Sequence, residues 1–165
     1  MKNIVLVGMP GCGKSTVGVI LAKTLGKSFV DTDHLICAKE HNTLQNIIEE
    51  KGLEYFEELE CKVGEELAAE NTVIATGGSM IMYESAMEHL KEIATVIYID
   101  VSLSELERRL VNIKTRGITF GKGETLEDIF NIRTPLYKKH AHIAINADEF
   151  SIEETVTKLT ELLKN

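Results

Sequence analysis

No apolar run in this chain approaches the roughly 18–20 residues that a membrane span needs. Met1 and Lys2 lead directly into a short strand-like segment, so no signal peptide is expected. Cysteine is scarce: Cys12, Cys37 and Cys61 are scattered and odd in number, show no metal-ligand spacing, and read as reduced thiols in a cytoplasm. None of the five histidines belongs to an HExxH-type pair. His140 and His142 flank one alanine but have no cysteine or carboxylate at metal spacing, so the histidines read as surface or packing residues. Basic charge is also short, with 18 Lys and Arg against 26 Asp and Glu, a net charge of −8. That balance argues against a nucleic-acid partner, because neutralising a phosphate backbone needs clustered Lys and Arg.

What remains is an ordinary globular composition, 44% hydrophobic and 27% charged over 165 residues, enough for one domain with a sizeable core. Short β-like runs alternate with helical stretches. Strands are predicted at Asn3–Val7, Ser28–Asp31, Thr72–Ala75, Thr95–Asp100 and His142–Ile145. Helices are predicted at Lys14–Leu25, Asp33–Lys51, Leu53–Glu70, Glu84–Glu92, Ser102–Ile113, Thr125–Lys139 and Ser151–Leu163, with Pro135 a candidate break. Five apolar strands alternating with helices indicate an α/β fold with a mostly parallel sheet. No internal repeat, low-complexity tract or linker divides the chain, so residues 1–165 are expected to form a single domain. Its weakest core signal lies at 114–124, which holds three glycines and is a candidate mobile lid.

Gly8–Ser15, G-M-P-G-C-G-K-S, matches G-x-x-x-x-G-K-[ST] in full. Glycines let the backbone turn so that successive N–H groups point into one concavity, and the following helix adds its positive end. Lys14 is expected to reach the β/γ oxygens of a nucleotide and the Ser15 hydroxyl to ligate Mg²⁺. The chain lacks the N-K-x-D and D-x-x-G of GTPases and the L-S-G-G of transporter ATPases, and it is short for a motor. A small-molecule phosphotransferase is the common class left.

Phe29–Asp33, F-V-D-T-D, ends a strand with two aspartates at period-two spacing, which puts both on one side of an extended segment. If that strand neighbours the first, both face the phosphate loop. One could serve the Mg²⁺ shell and the other could orient or deprotonate a hydroxyl, with Asp100 a rival for the metal role. Helix N-capping by either aspartate is the plainer alternative.

G-M-P-G-C-G-K-S-T, then D-T-D, T-G-G, an isolated Arg in a glycine-containing segment, and R-T-P-L-Y together resemble the shikimate kinase family over nearly the whole chain. The resemblance implies a three-layer αβα P-loop kinase fold with a five-stranded parallel sheet and a mobile lid. It implies MgATP as donor and a hydroxyl of a small carboxylic acid as acceptor, with shikimate going to shikimate 3-phosphate in aromatic amino acid biosynthesis. By the same resemblance, Gly11, Cys12, Gly13, Lys14, Ser15 and Thr16 cradle the phosphates, and Ser15 and Asp31 serve Mg²⁺. Asp33 binds acceptor hydroxyls and acts as base, while Gly77 and Gly78 bring backbone close to the acceptor. Arg116 reaches the transferring phosphates, Arg109 lies along the adenine, and Arg133 grips the acceptor carboxylate. Planar guanidinium groups suit both phosphoryl and carboxylate partners. Plainer roles are a solvated helix residue for Arg109 and Arg133, an inert loop charge for Arg116 and a simple tight turn for T-G-G.

The chain departs from the family pattern around the acceptor. F-R-x-x-E is expected before the third strand, but residues 54–60 read E-Y-F-E-E-L-E, which puts Glu57 at the Arg position. T-G-G-S replaces T-G-G-G, and T-R-G-I stands where the lid has R-P-L. The charge reversal allows an alternative acceptor, a hydroxy amino acid such as homoserine, with Glu57 and Glu60 facing its cationic group. A non-catalytic nucleotide-binding protein is a third reading. A monomer in the cytoplasm, free of membrane and nucleic acid, is expected.

Overall fold

The computed structural model describes residues 2–111 and 124–164. Most of the lid expectation, with Arg116, lies outside them. Chain order runs β1 (Asn3–Val7), α1 (Lys14–Leu25), β2 (Ser28–Asp31), α2 (Thr32–Glu40), α3 (Leu44–Lys51), α4 (Leu53–Glu66) and β3 (Thr72–Ala75). A 3₁₀ turn at Met80–Met82 follows, then α5 (Glu84–Ile93), β4 (Ala94–Asp100), α6 (Leu103–Val111), α7 (Leu126–His140), β5 (Ile143–Asn146) and α8 (Ile152–Leu162). Every strand pairing is parallel, in the order β2-β3-β1-β4-β5. β1 sits at the centre and is buried along its whole length, which explains its unbroken apolar run.

The connection after β1 leads to the β2 edge, whereas the one after β3 crosses to β4. The loops leaving β1 and β3 therefore diverge at one crevice beyond the carboxyl ends of the strands, where open α/β sheets bind ligands. The main core joins β1, β3 and β4 to α1, α5 and α8. A smaller apolar cluster of Ile36, Ile47, Phe56, Leu59 and Val63 fixes α2, α3 and α4 to one another. Among the described residues no helix is long and apolar enough to cross a membrane.

The structure corrects four local expectations. The stretch Asp33–Lys51 is two helices: His41 takes a left-handed φ of 51° and ends α2, and the Thr43 side chain caps α3 by accepting from the Asn46 N–H. α4 ends at Glu66, short of Glu70. α7 runs unbroken through Pro135, starting from a capping box between Thr125 and Asp128. β2 pairs with β3, so β3 separates it from β1.

Candidate active site

The phosphate loop lies between β1 and α1. Gly11 and Gly13 have φ of 83° and 95°, a left-handed region that side-chain-bearing residues rarely adopt, so the glycine pattern is a requirement of the turn. Lys14, 8% exposed, curls back over the loop. Its Nζ donates to the carbonyl oxygens of Gly8 at 2.7 Å and Met9 at 3.1 Å. Cys12 is buried within the loop, whereas Ser15 and Thr16 stand exposed at the start of α1.

Asp31 and Asp33 come to this loop by a different geometry from the one their spacing predicts. β2 ends at Asp31 and α2 begins at Thr32, so the pair spans a strand-to-helix turn. Asp31 Oδ1 accepts from the backbone N–H groups of Asp33 at 2.9 Å and His34 at 3.4 Å, capping α2. Its Oδ2 accepts from Ser15 Oγ at 2.7 Å. Capping and loop contact, posed as alternatives for Asp31, are thus divided between its two oxygens. The touching hydroxyl and carboxylate are the hard oxygen donors that Mg²⁺ takes, so this pair fits the ion.

Asp33 stands in the first turn of α2. Burial, with Asp31 adding repulsion and Lys14 opposing both, raises its carboxyl from 3.8 to about 6. Across from it, Glu60 of α4 is only 1% exposed. Burial lifts Glu60 from 4.5 to about 7, against hydrogen bonds from Ser79 and Tyr83 that favour its charged form. The two carboxyls meet at Gly77. A Cβ there would lie 2.5 Å from Asp33 Oδ1 and 2.6 Å from Glu60 Oε2. The Gly77 N–H donates to the buried Thr32 hydroxyl at 2.9 Å, and Thr76 Oγ1 donates to Leu6 O at 2.8 Å, so the T-G-G turn is pinned to β1 and α2.

Gly78 is wedged between the phosphate loop and α7. A Cβ on it would be 2.8 Å from Pro10 and 3.2 Å from an Arg133 guanidinium nitrogen. The Tyr137 hydroxyl donates to Gly78 O at 2.9 Å, and its ring stacks on Tyr98 at 5.1 Å. Lys14, Asp33, Gly77, Gly78 and Arg133 thus converge on one crevice. Arg109 lies on the outer side of the phosphate loop. It donates to Glu105 at 2.8 Å, to Cys12 O at 3.4 Å and to Ala147 O at 3.3 Å. Glu57 is exposed on α4, one turn before Glu60, and its charge reaches Tyr83.

Sequence reasoning missed Thr32, Tyr83 and Tyr137 as supports of the turn. The signal for Thr32 was its place between the aspartates, and Tyr137 stood within R-T-P-L-Y. A second omission is a carboxylate partner for His140. Donor atoms of Glu84, Glu88 and the fully buried His140 lie within 4.8 Å of one another. The two glutamates already engage Lys139 at 2.8 Å and Lys91 at 3.3 Å.

The raised carboxyls make stability depend on pH. Each acid holds its proton more tightly in the folded chain than in the unfolded one. Their stabilising contribution is full below 3.8 and 4.5, and is lost as pH rises through about 6 and about 7. Glu60→Gln should flatten the fall in unfolding free energy over the upper part of that window, measured by denaturant titration at stepped pH. An unchanged slope would show that Glu60 titrates normally.

A phosphate loop at the central strand, paired with an aspartate and an arginine over a glycine turn, defines a P-loop kinase of small molecules. The shikimate kinase family model matches residues 10–164. A shikimate kinase of Sulfurihydrogenibium sp. is 41% identical over 164 residues, covering 96% of this chain and 98% of that protein. The structure of Acinetobacter baumannii shikimate kinase in complex with shikimate superposes with a TM-score of 0.91 at 34% identity, covering 99% of this chain and 93% of the other. The Aquifex aeolicus shikimate kinase gives 0.85 at 32% identity, covering 98% and 96%. The chain belongs to the shikimate kinase family.

Proposed function

We propose that this protein transfers the γ-phosphate of MgATP to a hydroxyl of shikimate, giving shikimate 3-phosphate. The observation that carries this reading is the convergence of Asp33, Gly77 and Arg133 beside an intact phosphate loop. It is supported by full-length likeness to a shikimate kinase structure that holds shikimate.

In this reading Gly11, Cys12, Gly13 and Thr16 cradle the triphosphate, with N–H groups and the α1 N-terminus drawing its charge. Lys14 leaves the Gly8 and Met9 carbonyls for the β/γ oxygens. Ser15 and Asp31 hold Mg²⁺, which neutralises phosphate charge when bound. Asp33 accepts the proton of the attacking hydroxyl, and its raised carboxyl, near 6, suits a base working near neutral pH. The Arg133 guanidinium takes the acceptor carboxylate, with the Gly77–Gly78 turn fixing the ring between them. Arg109 borders the adenine side. Arg116 keeps its expected role toward the transferring phosphate. The protein is read as a cytoplasmic monomer with no nucleic-acid or membrane partner, in keeping with its net charge of −8.

A hydroxy amino acid acceptor is not favoured. Glu57, its main support, is exposed, and the full-length relatives are named shikimate kinases. ADP release from MgATP with shikimate, homoserine, serine, gluconate and an acceptor-free blank tests this. Saturable turnover confined to shikimate is expected; turnover with homoserine alone would overturn it. Glu57→Arg should lower the KM for shikimate by about tenfold, the size of one charge-assisted hydrogen bond. No change in KM would place Glu57 outside the acceptor site.

A further inference from the structure

Glu60 is a nearly fully buried acid on α4, and among the described residues its hydrogen-bond donors are neutral hydroxyls. Ser79 Oγ donates to Glu60 Oε1, and Tyr83 supplies a second contact. The other oxygen, Oε2, faces Gly77 beside Asp33 Oδ1. A buried carboxyl with this few donors is held in place only as firmly as they hold it, and losing one leaves an oxygen unpaired at substantial cost. Ser79 immediately follows the glycine pair, so the bond ties the acceptor turn to α4 across 19 residues of sequence.

Residue 57 lies one helical turn before Glu60, close enough for a long cation there to reach it. In this chain residue 57 is itself an acid. The two departures noted in the sequence, an acid at 57 and a serine in place of glycine at 79, thus surround the same carboxyl. One removes a cation that could hold Glu60, and the other supplies a hydroxyl that does.

We propose that Ser79 is a positioning residue for the acceptor reaction: it holds Glu60 against the Gly77–Gly78 turn in place of a guanidinium at residue 57, so that the two departures compensate. Glu60 then keeps one face of the turn fixed while Asp33 keeps the other. The charged and titratable groups facing Glu60 are Asp33 from α2, Arg133 from α7, Tyr83 from the start of α5 and Cys61 beside it on α4. Arg133 attracts the ionised form and Asp33 repels it, while the Ser79 bond favours it. Removing Ser79 therefore moves the Glu60 titration upward.

The proposal rests on the acceptor reading above, and the test separates the two. Carboxyl ¹³C NMR follows Glu60 in the substrate-free protein, and steady-state kinetics with shikimate and MgATP are run across pH. For Ser79→Ala the Glu60 midpoint should rise by about one pH unit, as expected for one lost hydrogen bond to a carboxylate. The shikimate KM should rise by about tenfold with the ATP KM unchanged. Ser79→Thr, which keeps the hydroxyl, should behave as wild type, and Glu57→Arg added to Ser79→Ala should return the Glu60 midpoint to its wild-type value. If Ser79→Ala does not fold, Ser79→Cys reads the same quantities through a weaker donor. A Glu60 midpoint unmoved by losing the hydroxyl overturns the proposal, and so does a threonine variant as impaired as the alanine one. A shifted midpoint in a protein that does not phosphorylate shikimate supports the Ser79–Glu60 bond and counts against the acceptor reading alone.

Discussion

Asp33→Asn should lower kcat for shikimate phosphorylation by about 10²–10⁴-fold, the usual contribution of a positioned general base. The change is nearly isosteric and removes the charge and proton affinity of a carboxyl that burial has raised to about 6. Nucleotide contacts are untouched, because Asp33 holds no part of the phosphate loop, whose Ser15 is engaged by Asp31 at 2.7 Å. MgATP affinity measured by calorimetry should therefore match wild type. The acid limb of kcat/KM should also lose the step near pH 6 that Asp33 contributes. A kcat within a few-fold of wild type would remove Asp33 from the chemistry.

Gly77→Ala should be almost as damaging by a purely steric route. The added methyl would meet Asp33 Oδ1 at 2.5 Å and Glu60 Oε2 at 2.6 Å, so at least one carboxyl must move. Neither can yield freely: Glu60 is buried among α4 and the turn, and Asp33 is fixed in the first turn of a helix capped by Asp31. Displacing a reactive group by about 1 Å can cost about 10²-fold in rate. We expect kcat/KM for shikimate to fall by at least that factor, with MgATP binding preserved and the variant still folded by circular dichroism. Near-wild-type kinetics would mean that the turn shifts without disturbing the carboxyls, and that its closeness to Asp33 has no catalytic weight.

The parts of the site legible in the sequence are those whose chemistry is local. The phosphate loop needs left-handed glycines, a lysine and a hydroxyl within eight consecutive residues, so its pattern could be read without any tertiary information. The parallel sheet was legible for a similar reason: β1, β3 and β4 are buried on both faces and read as unbroken apolar runs. D-T-D was visible as a motif, but its geometry was not. Period-two spacing presumes that the strand continues, whereas it ends at Asp31 and a helix begins at Thr32. The break at His41 was partly legible, because Asn42 and Thr43 are residues that start turns and cap helices.

Contacts between distant segments carried no periodic signal. Ser79 meets Glu60 across the acceptor turn, Tyr137 reaches the Gly78 carbonyl from another helix, and Glu84 comes to His140 from 56 residues away. Each of these residues is unremarkable in its own stretch of sequence. Glu57 is the opposite case. Its charge stood out against the family pattern, yet it is the buried Glu60, one turn later, that lies at the acceptor turn.

The measurement that tests the central claim most directly is ³¹P NMR of the wild-type protein incubated with MgATP and shikimate. The account predicts one equivalent of ADP for each equivalent of a new phosphomonoester, whose phosphorus couples to the proton on C3 of the shikimate ring. ADP accompanied only by inorganic phosphate, or a phosphoester that forms with homoserine and not with shikimate, would contradict it.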